Sequence, residues 1–246
     1  MFLDQFHRVE DGRVRITAEQ ASRFAKQMAG DYNPIHDPDA RRFCVPGDLL
    51  FSLLLAKFGL SQCMTIRFCG MVGNDVPLIF EALDAPDENG VSLLVRDEAG
   101  KVYLTVERSG DTTHDEEVVA NFTRQYIAFS GRNFPHFLQP LMLEKGVMFN
   151  PARPLVIYDS MGFCFERLDI ADLHLDFVGS SLEVNGKRGD TLLEFSIHDG
   201  EQCIGSGSKK LVVSGLRDYC AETMDAFVES FEALKREAEA CDSRSV

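Results

Sequence analysis

Apolar residues recur at helical spacing near the start of the chain and give way to alternation further on, and this change of period sets the expected elements. Residues 12–16 alternate and predict a short strand. Thr17 then has the character of a helix N-cap, with Gln20 placed to complete a capping box. Ala21, Phe24, Ala25 and Met28 follow on one helical face until Gly30 stops the run. The next stretch, 31–39, reads Asp-Tyr-Asn-Pro-Ile-His-Asp-Pro-Asp and predicts a turn-rich loop stiffened by proline. Pro46-Gly47-Asp48 opens a second helix, where the dipole favours the carboxylate of Asp48. Residues 49–58 are apolar nearly all round, which predicts a buried helix ending at Gly59.

Beyond Gly59 the residue types become strand-like. Runs at 64–68, 77–83, 91–96, 102–106 and 118–129 are rich in Val, Ile, Leu, Phe and Thr and predict strands. The second half repeats this outline. Ser130 to Pro135 forms a junction, 155–168 is expected to be a second central helix, and strands are expected at 173–184, 191–198 and 202–213. Asn185-Gly186 and Asp199-Gly200 are hairpin turn pairs between those strands. A last helix is expected over 219–240, with Met224, Phe227, Val228, Phe231 and Leu234 on one face and a frayed tail, 241–246, beyond it.

Composition narrows the function classes. At 246 residues the chain has room for one large domain or two ordinary ones, and its 45% hydrophobic and 26% charged residues are those of a globular protein. No apolar run reaches the roughly 18 residues of a membrane span, and the first residues lack the pattern of a signal peptide, so a cytoplasmic location is expected. A net charge of -14 argues against nucleic acid as a partner. It also means that an anionic ligand needs a local basic patch, for which Arg41-Arg42 and Lys209-Lys210 are the candidates, with solvated surface charge as the alternative for each pair. The 7 cysteines include no CxxC pair, so neither a disulfide framework nor a zinc ribbon is expected, and most cysteines are expected to be buried, reduced and structural. No metal site and no phosphate-binding glycine loop is evident, and no cofactor is expected.

The chemistry concentrates at Asp31 and His36. A carboxylate and an imidazole on one proline-stiffened loop are able to converge on a single water, and Asn33 between them is placed to orient either group. The plainer alternatives are an Asx-turn role for Asp31 and a core role for His36. His7, His114, His136, His174 and His198 lack such a setting and read as structural or surface residues.

Residues 29–36, Ala-Gly-Asp-Tyr-Asn-Pro-Ile-His, followed by a buried helix, resemble the signature of the MaoC-like (R)-specific enoyl-CoA hydratases, in which a helix ends in Gly-Asp-x-Asn-Pro-x-His. Ala40 and Phe43 also sit where that family places small and aromatic residues, and the strong match covers about residues 24–58. The resemblance implies an α+β hot-dog fold, a long helix wrapped by a curved antiparallel sheet. With the repeated outline it implies two hot-dog units: 1–130 with the dyad, 131–216 degenerate, and 217–246 as a C-terminal helix and tail. It further implies hydration of a 2-enoyl thioester, or dehydration of a 3-hydroxyacyl thioester, carried by coenzyme A or acyl-carrier protein. Asp31 and His36 then act as the acid/base pair, Asn33 orients them, and Gly47 offers a backbone N–H to the thioester oxyanion. Tyr32, Arg41, Arg42 and Phe43 are the expected substrate contacts, and a homodimer is the expected assembly. Two further functions on the same fold are thioester hydrolysis and non-catalytic binding of an acyl thioester or a protein. This chain departs from the family pattern in three ways. It has Pro46-Gly47 where the family has His-Gly, its loop from His36 to Gly47 is short, and Asp48 follows the glycine directly, so that an inward carboxylate would oppose a developing oxyanion.

Overall fold

The Thr17 hydroxyl accepts from the Gln20 N–H while the Gln20 amide oxygen accepts from the Thr17 N–H, so the capping box closes as expected. The computed structural model describes residues 2–242, with side chains placed through Glu237. Strands β1 (Arg8–Glu10) and β2 (Arg13–Arg15) form a hairpin ahead of α1 (Ala18–Phe24), which continues as one wider turn over Ala25–Ala29. Gly30 ends it in the left-handed conformation, φ 61°. Helix α2 (Gly47–Phe58) leads into β3 (Leu60–Phe68), β4 (Leu78–Ala82), β5 (Val91–Asp97) and β6 (Val102–Thr113). Helix α3 (Glu116–Ser130) and α4 (Leu138–Glu144) follow, with β7 (Val147–Met148), β8 (Leu155–Phe165), β9 (Leu173–Asn185), β10 (Arg188–Asp199), β11 (Gln202–Ser214) and β12 (Arg217–Asp218). The last helix is α5 (Ala221–Asp242); residues 243–246 of the expected frayed tail lie outside the described residues.

Ten strands make one antiparallel sheet in the order β1-β2-β4-β5-β6-β3-β8-β11-β10-β9, and β12 pairs β7 apart from it. The α+β class expected from the sequence is therefore present, as is the C-terminal helix. On either side of the centre the order is the same. The first long strand of each half is central, and the fourth, third and second follow outward, as β3-β6-β5-β4 and as β8-β11-β10-β9. The halves meet where β3 pairs β8 antiparallel, from Cys63↔Cys164 to Arg67↔Ser160. One face of this sheet carries the core: Met64 and Ile66, Met161 and Phe163, Leu193 and Phe195 are all buried. Helices α2 and α3 cover it, and Phe51 of α2 meets Phe122 and Tyr126 of α3 and Phe163 of β8 at ring distances of 5.0 to 6.3 Å.

Two elements differ from expectation. Residues 118–129 are helical, in α3. The buried residues Val119, Phe122, Tyr126 and Phe129 recur every three or four positions, and the Asp115 carboxylate caps the start by accepting from the Glu117 and Val118 N–H groups. The β-branched and aromatic residue types suggested a strand, but their spacing is that of a helix. Conversely 155–168 is not a helix. Residues 155–165 form β8, paired antiparallel by β3 on one side and β11 on the other, and its buried residues Met161, Phe163 and Phe165 alternate as a strand's do. The cysteines also differ. Cys63 and Cys164 are disulfide-bonded across the β3–β8 seam, Cys69, Cys203 and Cys220 are exposed, and Cys44 is half-buried. Among the described residues no helix is long and apolar enough to cross a membrane.

Candidate functional site

A cavity of about 250 Å³ opens where the loop after α1, the start of α2, the α3–α4 junction, β8 and α5 come together. Asp31, Tyr32, Asn33, His36 and Gly47 all line it. The loop owes its shape to two consecutive Asx turns. Asp31 Oδ1 accepts from the Asn33 N–H at 2.9 Å, and Asn33 Oδ1 accepts from the Ile35 N–H at 3.2 Å. Asn33 also donates through its amide to the Val156 carbonyl at 3.4 Å, which ties the loop to β8. The turn role of Asp31 is thus present, and it occupies only one oxygen.

The other oxygen, Oδ2, lies 3.7 Å from His36 Nε2. His36 Nδ1 is 2.7 Å from the Cys44 carbonyl, an acceptor only, so the ring carries a proton on Nδ1. In the neutral ring Nε2 therefore presents a lone pair to Asp31. The two side chains are largely shielded, 12% and 26% exposed, and their surroundings include Leu50, Phe68, Leu138, Phe149, Val156 and Phe227. Gly47 sits so close to the aromatic wall that a Cβ there would meet Phe68 Cε1 at 2.8 Å and Tyr158 Cδ2 at 2.9 Å. As the first residue of α2, its N–H has no acceptor within the helix. Tyr32 is buried and packs edge-on against Phe231 of α5, with ring centroids 5.6 Å apart.

The remaining expected contacts do not line the cavity. Arg41 and Arg42 are exposed on the turn before α2, and Phe43 is half-buried against the core. Lys209 is neither surface charge nor part of a basic patch. It is 1% exposed, while Lys210 is exposed as a surface residue. Its ammonium donates to Ser130 Oγ, lies 3.7 Å from Asp48 Oδ1 and stands 3.4 Å from the centre of the Tyr158 ring. Asp48, 2% exposed, points into the core, where its Oδ2 accepts from the Ser130 hydroxyl and from Tyr158 OH, the latter at 3.1 Å. Asn133 donates to Tyr158 OH at 3.3 Å. Burial pulls Lys209 down to about 8 despite the opposing pull of Asp48. Burial, and then the Asp48 charge, push Tyr158 and Tyr126 well above the ordinary tyrosine value. Ser130, Asn133 and Tyr158 form cavity wall, so this buried network is the layer behind the site. The sequence offered one signal for it: Lys209 falls in register with Leu211 and Val213 on the inward face of an alternating strand.

A family profile described as "Protein of unknown function (DUF3581)" matches residues 1–222. No curated protein matches the chain. Among solved structures, the chain is similar to the tesB protein of Mycobacterium avium subsp. paratuberculosis, at 10% identity and a TM-score of 0.42, over 71% of this chain and 89% of that one. It is also similar to a conserved hot-dog-fold protein of unknown function from Alicyclobacillus acidocaldarius, at 11% identity and 0.45, over 87% and 98%. A third is the peroxisomal multifunctional enzyme type 2 of Drosophila melanogaster, at 10% and 0.42, over 80% and 47%. At such scores the chemistry has to be read from this chain's own residues.

Proposed function

The chain belongs to the DUF3581 family, whose description assigns no activity, and we propose from the site itself that it is a hydratase or dehydratase of 2-enoyl and 3-hydroxyacyl thioesters. The observation that carries this reading is the pair of opposed acceptors, Asp31 Oδ2 and His36 Nε2, held 3.7 Å apart on the wall of a largely apolar cavity. An ionised carboxylate and an imidazole lone pair have no hydrogen to share between them. A water that donates one hydrogen to each satisfies both and leaves its oxygen lone pairs free. In hydration that oxygen bonds to the β-carbon while one O–H bond breaks, its proton passing to the acceptor that held it. The dyad then returns a proton to the α-carbon, so the net addition is one hydrogen and one hydroxyl. Meanwhile the thioester oxygen carries negative charge, and the Gly47 N–H, which has no acceptor within α2, is the donor for it. Dehydration is the same path reversed.

We read the architecture behind this site as two hot-dog units fused in one chain. The support is the shared strand order on either side of the β3–β8 seam, each set of four preceded in the chain by a helix, α2 or α3. On this correspondence the second unit opens with α3 at Glu116, ahead of residue 131, and 217–246 remains a C-terminal appendage.

The test is loss of the conjugated double bond of short and medium trans-2-enoyl-CoA, followed by absorbance. The wild type is expected to turn over at least one chain length. Asp31→Asn and His36→Asn are each expected to abolish turnover while leaving the thermal midpoint of the chain little changed, because an asparagine keeps an oxygen for the Asn33 N–H and an amide N–H for the Cys44 carbonyl. A wild type that binds acyl-CoA yet is inert on every chain length overturns the hydratase reading, and release of free thiol in the same cuvette would assign the dyad to hydrolysis instead.

A further inference from the structure

We propose that His174, Asp176 and His198 bind one divalent transition-metal ion of the zinc class, at a site on the solvent face of the sheet separate from the dyad. Strand β9 is the last in the sheet and β10 its neighbour. Leu173 and Ile197 are buried, so the alternation of each strand turns His174, Asp176 and His198 outward together. The register places His174 directly opposite His198, and Asp176 opposite Ser196.

The donor atoms already converge. His174 Nε2 lies 3.6 Å and His198 Nε2 3.7 Å from Asp176 Oδ2, and all three ligand atoms fall within 4.8 Å of one another. Tetrahedral zinc with arms of about 2.0–2.1 Å separates its ligand atoms by roughly 3.3 Å. Closing the site on an ion therefore asks for movements of tenths of an ångström at each carboxylate–imidazole contact and of up to about 1.5 Å between the two imidazole nitrogens. Imidazole with carboxylate is a donor set for zinc and its first-row neighbours and not for magnesium or calcium, which take oxygen. Among the described residues Asp176 has its ion pairs with these two histidines alone, so no lysine or arginine competes for it. The Ser196 hydroxyl, 2.9 Å from His198 Nε2, is the group an ion displaces. Three protein ligands leave a fourth position for water. Cys203 of β11, directly opposite His198 and exposed, is the nearest thiol by register. A cation here joins the outermost strand to its neighbour, so binding favours the paired edge.

Zinc titrated into the untagged, chelator-stripped full chain, followed by calorimetry, tests this. One equivalent is expected to bind, and the binding is expected to be lost in His174→Ala, His198→Ala and Asp176→Asn, whose positions are half-buried or exposed and whose fold is checked by circular dichroism. Asp31→Asn is expected to keep it, which separates this site from the dyad. A wild type that takes up no equivalent, or a His174→Ala/His198→Ala chain that binds as tightly as the wild type, overturns the proposal.

Discussion

Replacing Lys209 by methionine keeps most of the aliphatic volume on β11 and removes the one cation that, among the described residues, pairs with Asp48. The carboxylate is 2% exposed and would retain the Ser130 and Tyr158 hydroxyls on Oδ2, while Oδ1, which has no hydrogen-bond donor even in the wild type, would lose the ammonium 3.7 Å away. Stranding one member of a buried ion pair costs about 3–5 kcal/mol. Domains are typically stable by about 5–15 kcal/mol, so Lys209→Met is expected to remove a large share of the folding free energy. Guanidinium unfolding measures this as a fall in midpoint at unchanged slope. Adding Asp48→Asn removes the stranded charge, and the double variant is expected to recover much of the loss, an interaction term of up to about 3 kcal/mol in the cycle. The pH dependence is a second readout. Lys209 is held at about 8 in the fold against 10.5 in the open chain, so between those values the unfolded state binds the more protons. The contribution of Lys209 to stability therefore rises as pH goes from about 8 to 10.5, and Lys209→Met should lack that rise. A single variant within about 1 kcal/mol of wild type, with the same high-pH rise, would refute the buried pair.

Gly47→Ala places a methyl within 2.8 Å of Phe68 and 2.9 Å of Tyr158; overpacking of this kind costs about 1–3 kcal/mol, read as a lower denaturation midpoint together with reduced turnover. Arg41→Glu with Arg42→Glu, on an exposed turn outside the cavity, is expected to raise KM for a coenzyme A ester while leaving kcat in place, because it alters encounter with the phosphates and not the dyad. Burial pushes the Cys44 thiol up to about 11, so iodoacetamide at neutral pH should label exposed Cys69, Cys203 and Cys220 well before Cys44; equal labelling by peptide mass mapping would contradict its burial.

Local signals were the legible part of this chain. The capping box at Thr17, the stop at Gly30, the apolar helix from Leu49 and the Asn185-Gly186 and Asp199-Gly200 turns are all short-range, and each has its expected element in the structure. The loop chemistry was legible for the same reason, because the prolines and Asx turns from Asp31 to His36 fix geometry over a few residues. The two misread segments failed where residue type and residue spacing disagree. Val119, Phe122, Tyr126 and Phe129 are strand-forming types set at helical intervals, and 155–165 is a both-sides-paired strand whose many apolar residues resemble those of a buried helix. Tertiary partners separated by long stretches of chain were not legible. Nothing near Lys209 announces that Ser130 and Asp48 will meet it, and nothing near Cys63 announces Cys164.

That distant pairing bears on the chemistry proposed for Gly47. From sequence, an inward Asp48 is a negative charge next to the N–H that should stabilise an oxyanion. It does point inward, but it lies behind the cavity wall of Ser130 and Tyr158 and 3.7 Å from the Lys209 ammonium, whose positive charge offsets it. The start of α2 thus keeps the donor character that its dipole gives it. If this compensation matters to turnover, Lys209→Met should lower kcat of hydration while leaving KM nearly unchanged, because an uncompensated carboxylate opposes charge that exists only in the transition state. Adding Asp48→Asn should restore kcat along with stability. The assay is run well below the unfolding transition of the weaker variant. Stability that recovers in the double variant while kcat stays low would separate the two effects, leaving Lys209 as a packing element with no influence on the oxyanion corner.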